Sequence, residues 1–557
     1  MSPTSAEISD EFLAQLKDDL VCRRLGCGMA RLEEQCHLVG GFAPGRFNPQ
    51  KFDPAQRNAA LFAGYLAQWV DLGFHRPGLI KEIVGRFSKE VRERLPLLDY
   101  MYLRMAQAMV AMAEESKDEA MEHIDFVLGL EQETGDRELL AIANFWKGRC
   151  LRMKGEYDQA LAFAVKGREL ALELGHQPMA AVMRVLESWL FFQKGDAKQA
   201  VGILQEAGAI LSKTDDYLTL GNIQSSYGRI ARRQGRYQQA IEHFTAAIAE
   251  YRKRDPRHRN IARSLNNMAY VKRLIALQLR RKIDAEAARR RKAAARGRNA
   301  NGHGKLQHRQ RFEQLRTEAL AELAEAAVIY EQYGNHHGLG SVHLNYAYLH
   351  LDNGDLDHAE ASAKTAFGLG EEKQDLILMA RARLLLCMIE NARVEEGIAE
   401  STDPGAHARL AQDYAQEAVE SAKHTQNRRL LAHTYIWQGL TYCNRFFDDP
   451  DSGRRCYDQA ITLSKDNHAD SAWEDLQILK ARVLRSGNVN PTLRAWSQGA
   501  VGDKTFQQIS EEFAEMIIPK VWEREGRKIS RVAARLSVSP KKVRRILSRV
   551  GRRKPRG

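Results

Sequence analysis

The sequence predicts an all-α protein: a superhelical solenoid of helical hairpins stepping about every 40 residues, followed by a small domain of short helices. Three observations predict it. Ala120, Ala160, Ala200 and Ala240 stand 40 residues apart, and Ala319 and Ala359 repeat the step. Twelve residues before five of these rungs lie the small residues Ala108, Gly148, Ser188, Gly228 and Ala347, and five residues before four of them lie Gly155, Gly195, Gly235 and Gly354. Past Asp503 the ladder has stopped and a strongly basic stretch with helical periodicity takes over. A repeat of fixed period signals stacked supersecondary units rather than one irregular core.

Residues 1–56 read as an N-terminal helical extension and 57–487 as the solenoid, some ten hairpins. The clearest units are GRCLRMKGEYDQALAFAVKGRELA (148–171) and GRIARRQGRYQQAIEHFTAAIAE (228–250). In each, a glycine ends the first helix because it reaches the left-handed conformation without a Cβ clash. Small residues at matching heights let two antiparallel helices approach, and Tyr157, Tyr237 and Phe244 fill the space between them. One hairpin cannot bury its apolar face alone, so neighbours must stack.

These residues resemble the tetratricopeptide repeat superfamily. The matching elements are the small residue, Gly-x-Tyr-x-x-Ala and a downstream aromatic, as in Gly228, Gly235, Tyr237, Ala240, Phe244 and Ala247. The step of 40 exceeds the family's 34, and Ala197 and Leu356 stand where the tyrosine would be. The superfamily's concave face is built from first helices. The resemblance therefore points Arg149, Arg152, Arg229, Arg232, Arg233 and Arg273 into a groove, with Asn222 and Asn266 beside them. Such a strip would grip an acidic peptide or a phosphate-bearing ligand through charge-assisted hydrogen bonds. The alternative is that these arginines snorkel over a solvated face and pair with nearby acids.

Two places break the ladder. Ala240 to Ala319 is one period plus 39 residues, and the excess matches the basic insertion 279–311, expected to extend one helix and then form a loop around Gly297–Gly304. Whether it adds phosphate contacts or is a solvated basic helix stays open. The second break holds Ser401-Thr-Asp-Pro-Gly405, a turn signal.

After Asn488-Val-Asn-Pro-Thr492 a linker over 488–503 leads to a domain over 504–557. Its first helix is expected to turn Phe513, Ile517, Val521 and Trp522 to one side, its second (529–536) to place Val532, Ala533 and Leu536 inward, and its third to bury Val543, Leu547 and Val550. Ser537-Val538-Ser539 forms a turn, with Ser539 capping the third helix and Pro540 at its first position. The line EFAEMIIPKVWEREGRKISRVAARLSVSPKKVRRILSRVG resembles the Fis-type helix-turn-helix that ends many bacterial regulators. The resemblance implies that the first helix helps form a homodimer and that the third enters the major groove of double-stranded DNA. The implied contacts are Ser539, Lys541, Lys542, Arg544, Arg545, Ser548 and Arg549, with Arg552 and Arg553 in the tail, and Arg544 and Arg545 are the candidates for bases. Three residues depart from the pattern: Ser537 replaces the usual glycine, Pro540 replaces a polar residue, and Pro519 interrupts the first helix.

Charge supports this division. Of a net +13 over 557 residues, 280–316 carries +10 and 520–557 carries +13, so the remainder is mildly acidic. No apolar run reaches the roughly 18 residues of a membrane span. The acidic start MSPTSAEISDEF lacks a signal-peptide layout. Seven cysteines make no disulfide framework, so a cytoplasmic protein is expected. Cys22, Cys27, Cys36 and His37 lack the Cys-x-x-Cys knuckle of common zinc sites, and no metal or cofactor is expected. With no phosphate-cradling loop, metalloprotease motif or nucleophile elbow, the expected function is a DNA-binding transcriptional regulator, not an enzyme, whose solenoid senses a protein, peptide or small ligand. The alternative is an interaction scaffold whose C-terminal domain docks a protein. RNA binding is disfavoured because the basic stretches carry few aromatics to stack on bases.

Overall fold

In the computed structural model, residues 8–38, 42–43, 46–47, 51–294, 303–396, 403–464, 471–486, 496 and 502–553 are described. Side chains are described for these except at 35–47, 289–294, 303–306, 396, 471, 485–486 and 550–553. The chain divides into two units, Met1–Arg482 and Val483–Gly557. The N-terminal extension therefore lies inside the first unit.

The first unit opens with α1 (Asp10–Val21), α2 (Leu25–Leu38), a two-residue β pair (Phe42–Ala43 with Arg46–Phe47), α3 (Ala59–Asp71), α4 (Gly78–Gly85) and α5 (Lys89–Arg92). Eight antiparallel hairpins follow: α6 (Leu97–Ala113) with α7 (Lys117–Gly129), α8 (Arg137–Lys154) with α9 (Tyr157–Glu173), α10 (Gln177–Lys194) with α11 (Ala197–Leu211), and α12 (Tyr217–Arg233) with α13 (Tyr237–Arg252). Then come α14 (Arg259–Ala294) with α15 (His303–Gln332), α16 (His336–Asp352) with α17 (Leu356–Glu372), α18 (Leu376–Glu396) with α19 (Pro404–Lys423), and α20 (Arg428–Tyr442) with α21 (Pro450–Leu463). The single helix α22 (Ser471–Ser486) follows. The extrapolated ten hairpins are thus eight among the described residues, because the ends lack the full pair.

The ladder is the spine of this stack. All six rungs, Ala120, Ala160, Ala200, Ala240, Ala319 and Ala359, are fully buried. The small partners keep paired helices close: a Cβ on Gly148 would lie 3.0 Å from the Ala160 carbonyl oxygen, and one on Gly228 would lie 2.8–2.9 Å from the Phe244 ring. Phe244 and Tyr157 fill the interiors, whereas Tyr237 is only half-buried. Gly155 and Gly195 end α8 and α10 at φ 88° and 102°, the left-handed exit their positions require. The basic insertion lengthens one hairpin: α14 runs for 36 residues and α15 starts at His303. The expected loop at 297–304 lies mostly outside the described residues, as do Ser401 and Thr402, most of the linker 488–503 and the tail beyond Arg553.

The stack also meets itself across one superhelical turn. The Gln426 backbone N–H donates to the Gly155 carbonyl (2.9 Å), and the Asp158 N–H donates to Gln426 Oε1 (2.7 Å). The buried carboxylate of Glu115 accepts from the His337 N–H at 3.2–3.3 Å, and His337 Nδ1 lies 2.6 Å from Asp375 Oδ2. At the other end, Arg23 Nε donates to the buried Asp216 carboxylate (2.6 Å), and the Leu25 and Gly26 N–H groups donate to Asp215. These contacts flank the concave face on its sides.

The second unit contains α23 (Phe506–Arg524), α24 (Ile529–Leu536) and α25 (Pro540–Arg553). Ile518, Val532, Ala533, Val543 and Ile546 are its buried core, with Ala514, Val521, Trp522, Leu536 and Leu547 packed around them. Two expectations are corrected. Phe513 is 48% exposed and Ile518 takes the central place on α23. Pro519 sits within an unbroken α23. The side chain of Val550 lies outside the described residues.

Candidate functional site

First helices line a central cavity of about 620 Å³. Its wall carries ten arginines and two lysines against three carboxylates, Asp71, Glu115 and Asp375. Of the predicted groove residues, Arg149, Arg152, Asn222, Arg229, Arg232, Arg233 and Asn266 line this cavity. Arg273 is not on its wall. It is held by Asp352 (Nη2–Oδ1 2.9 Å) and lies 4.3 Å over the Tyr348 ring, so pairing with a nearby acid describes Arg273, as it does Arg149 on Asp71.

The remaining arginines differ in whether a carboxylate answers them. Arg149 and Arg259 share Asp71 at 2.8 and 2.6 Å, and together they hold the Asp71 carboxyl well below its usual range against the opposing effect of burial. Arg152 stacks 5.0 Å over the Trp189 ring. Arg229 donates to the Ser225 carbonyl (3.3 Å) and to Ser226 Oγ (3.2 Å), and Arg263 donates to Asn222 Oδ1 (2.8 Å). Arg381 donates to Ser341 Oγ (3.1 Å). Arg232 donates to Asn267 Oδ1 (2.7 Å), and Arg233 donates to the Phe192 carbonyl (2.8 Å). Among the described residues, no carboxylate oxygen lies within 4.0 Å of Arg152, Arg229, Arg263 or Arg381.

Burial pushes Arg152 and Arg229 each down to about 9, helped by neighbouring cations. At neutral pH both remain charged. Both residues are half-buried on the cavity wall, so they keep a positive charge where little answers it. The sequence reading missed Arg259, Arg263 and Arg381. Arg263 was within reach: it stands six residues before the small residue Ala269, as Asn222 stands six before Gly228.

In the second unit, Ser537 adopts φ 51°, ψ 41° between α24 and α25, so the turn does need a left-handed residue. Ser539 Oγ accepts from the Lys542 N–H at 3.2 Å, capping α25. Lys541, Arg544, Arg545, Ser548 and Arg549 are exposed on one face, and Lys542 is half-buried. Acids of α23 engage part of that face. Arg545 pairs with Glu511, and Arg549 reaches Glu511 (2.8 Å) and Glu515 (3.4 Å). Lys541 and Arg544 have no ion pair among the described residues. The side chains of Arg552 and Arg553 lie outside them.

Residues 219–277, covering α12, α13 and the start of α14, match the family model described as tetratricopeptide repeat. No curated protein sequence matches the chain. Among solved structures it is similar to a Rap protein complexed with Competence and Sporulation Factor, at 12% identity and TM-score 0.50 over 74% of this chain and 100% of that one. It is also similar to the apo quorum sensor NprR from B. thuringiensis (14%, TM-score 0.36, 81% and 97%) and to yeast Tom70 (11%, TM-score 0.38, 88% and 99%). The first likeness agrees with the helical solenoid described above. No helix among the described residues is long and apolar enough to cross a membrane.

Proposed function

We propose that the chain is a non-enzymatic, cytoplasmic DNA-binding regulator in which the solenoid cavity binds a ligand and the C-terminal three-helix unit binds DNA. The observation that carries the DNA half is α25: a capped helix after a left-handed three-residue turn, with Lys541 and Arg544 on an exposed face. A helix so presented fits the major groove. Lysines there position the protein on phosphates, while an arginine such as Arg544 can read a base edge. The sensing half rests on the cavity, which is of ligand size and whose cations exceed its acids. A Rap protein bound to Competence and Sporulation Factor is a precedent for the fold, and the ligand of this chain is argued from its own residues. Regulation follows if the ligand binds one arrangement of the chain better than another.

The test is selection of bound fragments from random duplex DNA at about 150 mM salt, with the intact chain beside a Lys541→Glu/Arg544→Glu variant. An enriched motif lost in the variant is the expected result, and two inverted half-sites would add a homodimer. No enrichment and no salt-dependent retention, with or without ligand, would refute DNA binding. It would favour the second reading, a scaffold, for which Phe506 (85% exposed) and Phe513 on α23 offer a protein-docking face.

A further inference from the structure

We infer that the ligand of the solenoid cavity carries phosphate, and that Arg152, Arg229 and Arg263 take it. This rests on the reading of the cavity as a ligand site and goes further by naming the chemistry.

Charge is the first argument. Arg149, Arg152, Arg229, Arg259 and Arg263 form one neighbourhood, in which Arg152 feels Arg149, Arg259 and Arg263, and Arg229 feels Arg152 and Arg263. Asp71 is the carboxylate that answers them, and Arg149 and Arg259 already share it. His258, beside Arg259, is buried and held near 3, so it stays neutral at physiological pH and adds no charge of either sign. The neighbourhood therefore keeps about four positive charges. A single carboxylate would leave most of them unanswered, whereas a diphosphate group neutralises nearly all.

Acceptors are the second argument. Asn222 Oδ1 takes three donors at once: Tyr251 OH (3.0 Å), Asn260 Nδ2 (3.3 Å) and Arg263 Nη2 (2.8 Å). One carbonyl oxygen has two lone pairs, so this corner is short of acceptors. Arg263 Nε is buried with no partner at all. Guanidinium forks match phosphate oxygens in pairs, and a phosphate supplies the missing acceptors without the N–H donors that a peptide backbone would add.

Enclosure is the third. The Gly155–Gln426 and Glu115–His337 contacts flank the groove on its sides. A volume of about 620 Å³ suits a compact molecule better than a long chain running through. Trp146, Trp189, Met179 and Met183 on the same wall offer an apolar bed for the rest of it.

The experiment is titration calorimetry of the full-length chain with inorganic pyrophosphate at constant ionic strength, beside a pentaglutamate peptide. Arg152→Gln, Arg229→Gln and, as a charge-matched control, the exposed Lys198→Gln away from the cavity wall are run in parallel. Pyrophosphate binding that falls at least tenfold in the first two variants and is unchanged in Lys198→Gln supports the inference. Thermal melting of each variant checks that it remains folded. Binding that the cavity variants leave intact would mean the anion sits elsewhere, and the inference falls. Binding of the peptide without pyrophosphate overturns the phosphate chemistry while the ligand-sensing reading stands. If neither probe binds, the inference is overturned, and the DNA selection decides the regulator reading separately.

Discussion

Removing a cavity arginine should stabilise the ligand-free protein. Arg229 is held at about 9 against an ordinary 12.5, and at about 1.4 kcal/mol per pH unit the penalty on its charged form is on the order of 5 kcal/mol. Water in the cavity screens part of this, and substitution also forfeits hydrogen bonds to Ser225 and Ser226 worth about 1 kcal/mol each. A net gain of ~1–2 kcal/mol should remain for Arg229→Met, which keeps the apolar stem and discards the charge. Arg273→Met is the opposite case. It strips the buried partner from Asp352 and should cost about 3–5 kcal/mol. Differential scanning calorimetry in phosphate-free buffer reads both, with Arg229→Met melting higher than the parent and Arg273→Met several degrees lower. If Arg229→Met instead melts as low as Arg273→Met, the claim that its charge is unanswered is wrong, and with it the reason to expect an anion.

Three further outcomes are expected. Ser537→Gly should stabilise the C-terminal unit by up to about 1 kcal/mol, because φ 51° costs a serine and not a glycine; hydrogen exchange of α24 and α25 in the intact chain would show slower opening. Gly228→Ala should destabilise the α12/α13 hairpin by about 1–3 kcal/mol through its clash with Phe244, with Phe244→Leu on the same chain restoring part of the loss. His258 ionises near 3 when folded and near 6.5 when unfolded, mainly because burial disfavours its charged form. The unfolded chain therefore binds the extra proton between those values, and stability falls as pH drops from about 6.5 toward 3. Melting curves of His258→Asn should be flatter than the parent's between pH 7 and 5, and an equal slope would remove His258 as the cause.

The solenoid was legible because its physics is periodic. A residue that must be small at every stacked height leaves the same letter at the same step, and all six alanine rungs proved fully buried. Seven of eight groove residues followed from one helical frame. Arg263 escaped although Asn266 and Arg273 on the same helix α14 followed from the frame, because it lies one turn before the first of them. On α23 the apolar arc is too wide for periodicity to orient: Phe513 and Ile517 compete with Ala514 and Ile518, and packing against α25 chose the second pair. The pairing of Arg545 and Arg549 with Glu511 was equally out of reach, since it joins helices 34 and 38 residues apart through exposed side chains.

Least legible were the contacts that flank the cavity, and they decide what its charges are worth. Gln426 to Gly155 spans most of a superhelical turn through loop backbone, where no repeat constrains the letters. Gly155 is doubly fixed there: its left-handed φ ends α8, and a Cβ would lie 3.0 Å from Thr425. An open groove would leave its arginines in bulk water, where unit charges 4 Å apart interact by about 1 kcal/mol. Flanked by these contacts, the same arginines act through a medium of lower effective dielectric, where that interaction rises to roughly 4 kcal/mol. Repulsion among Arg152, Arg229 and Arg263 at that strength is what a bound anion would offset. The contacts a superhelical turn apart would thereby tie ligand binding to the turn as a whole.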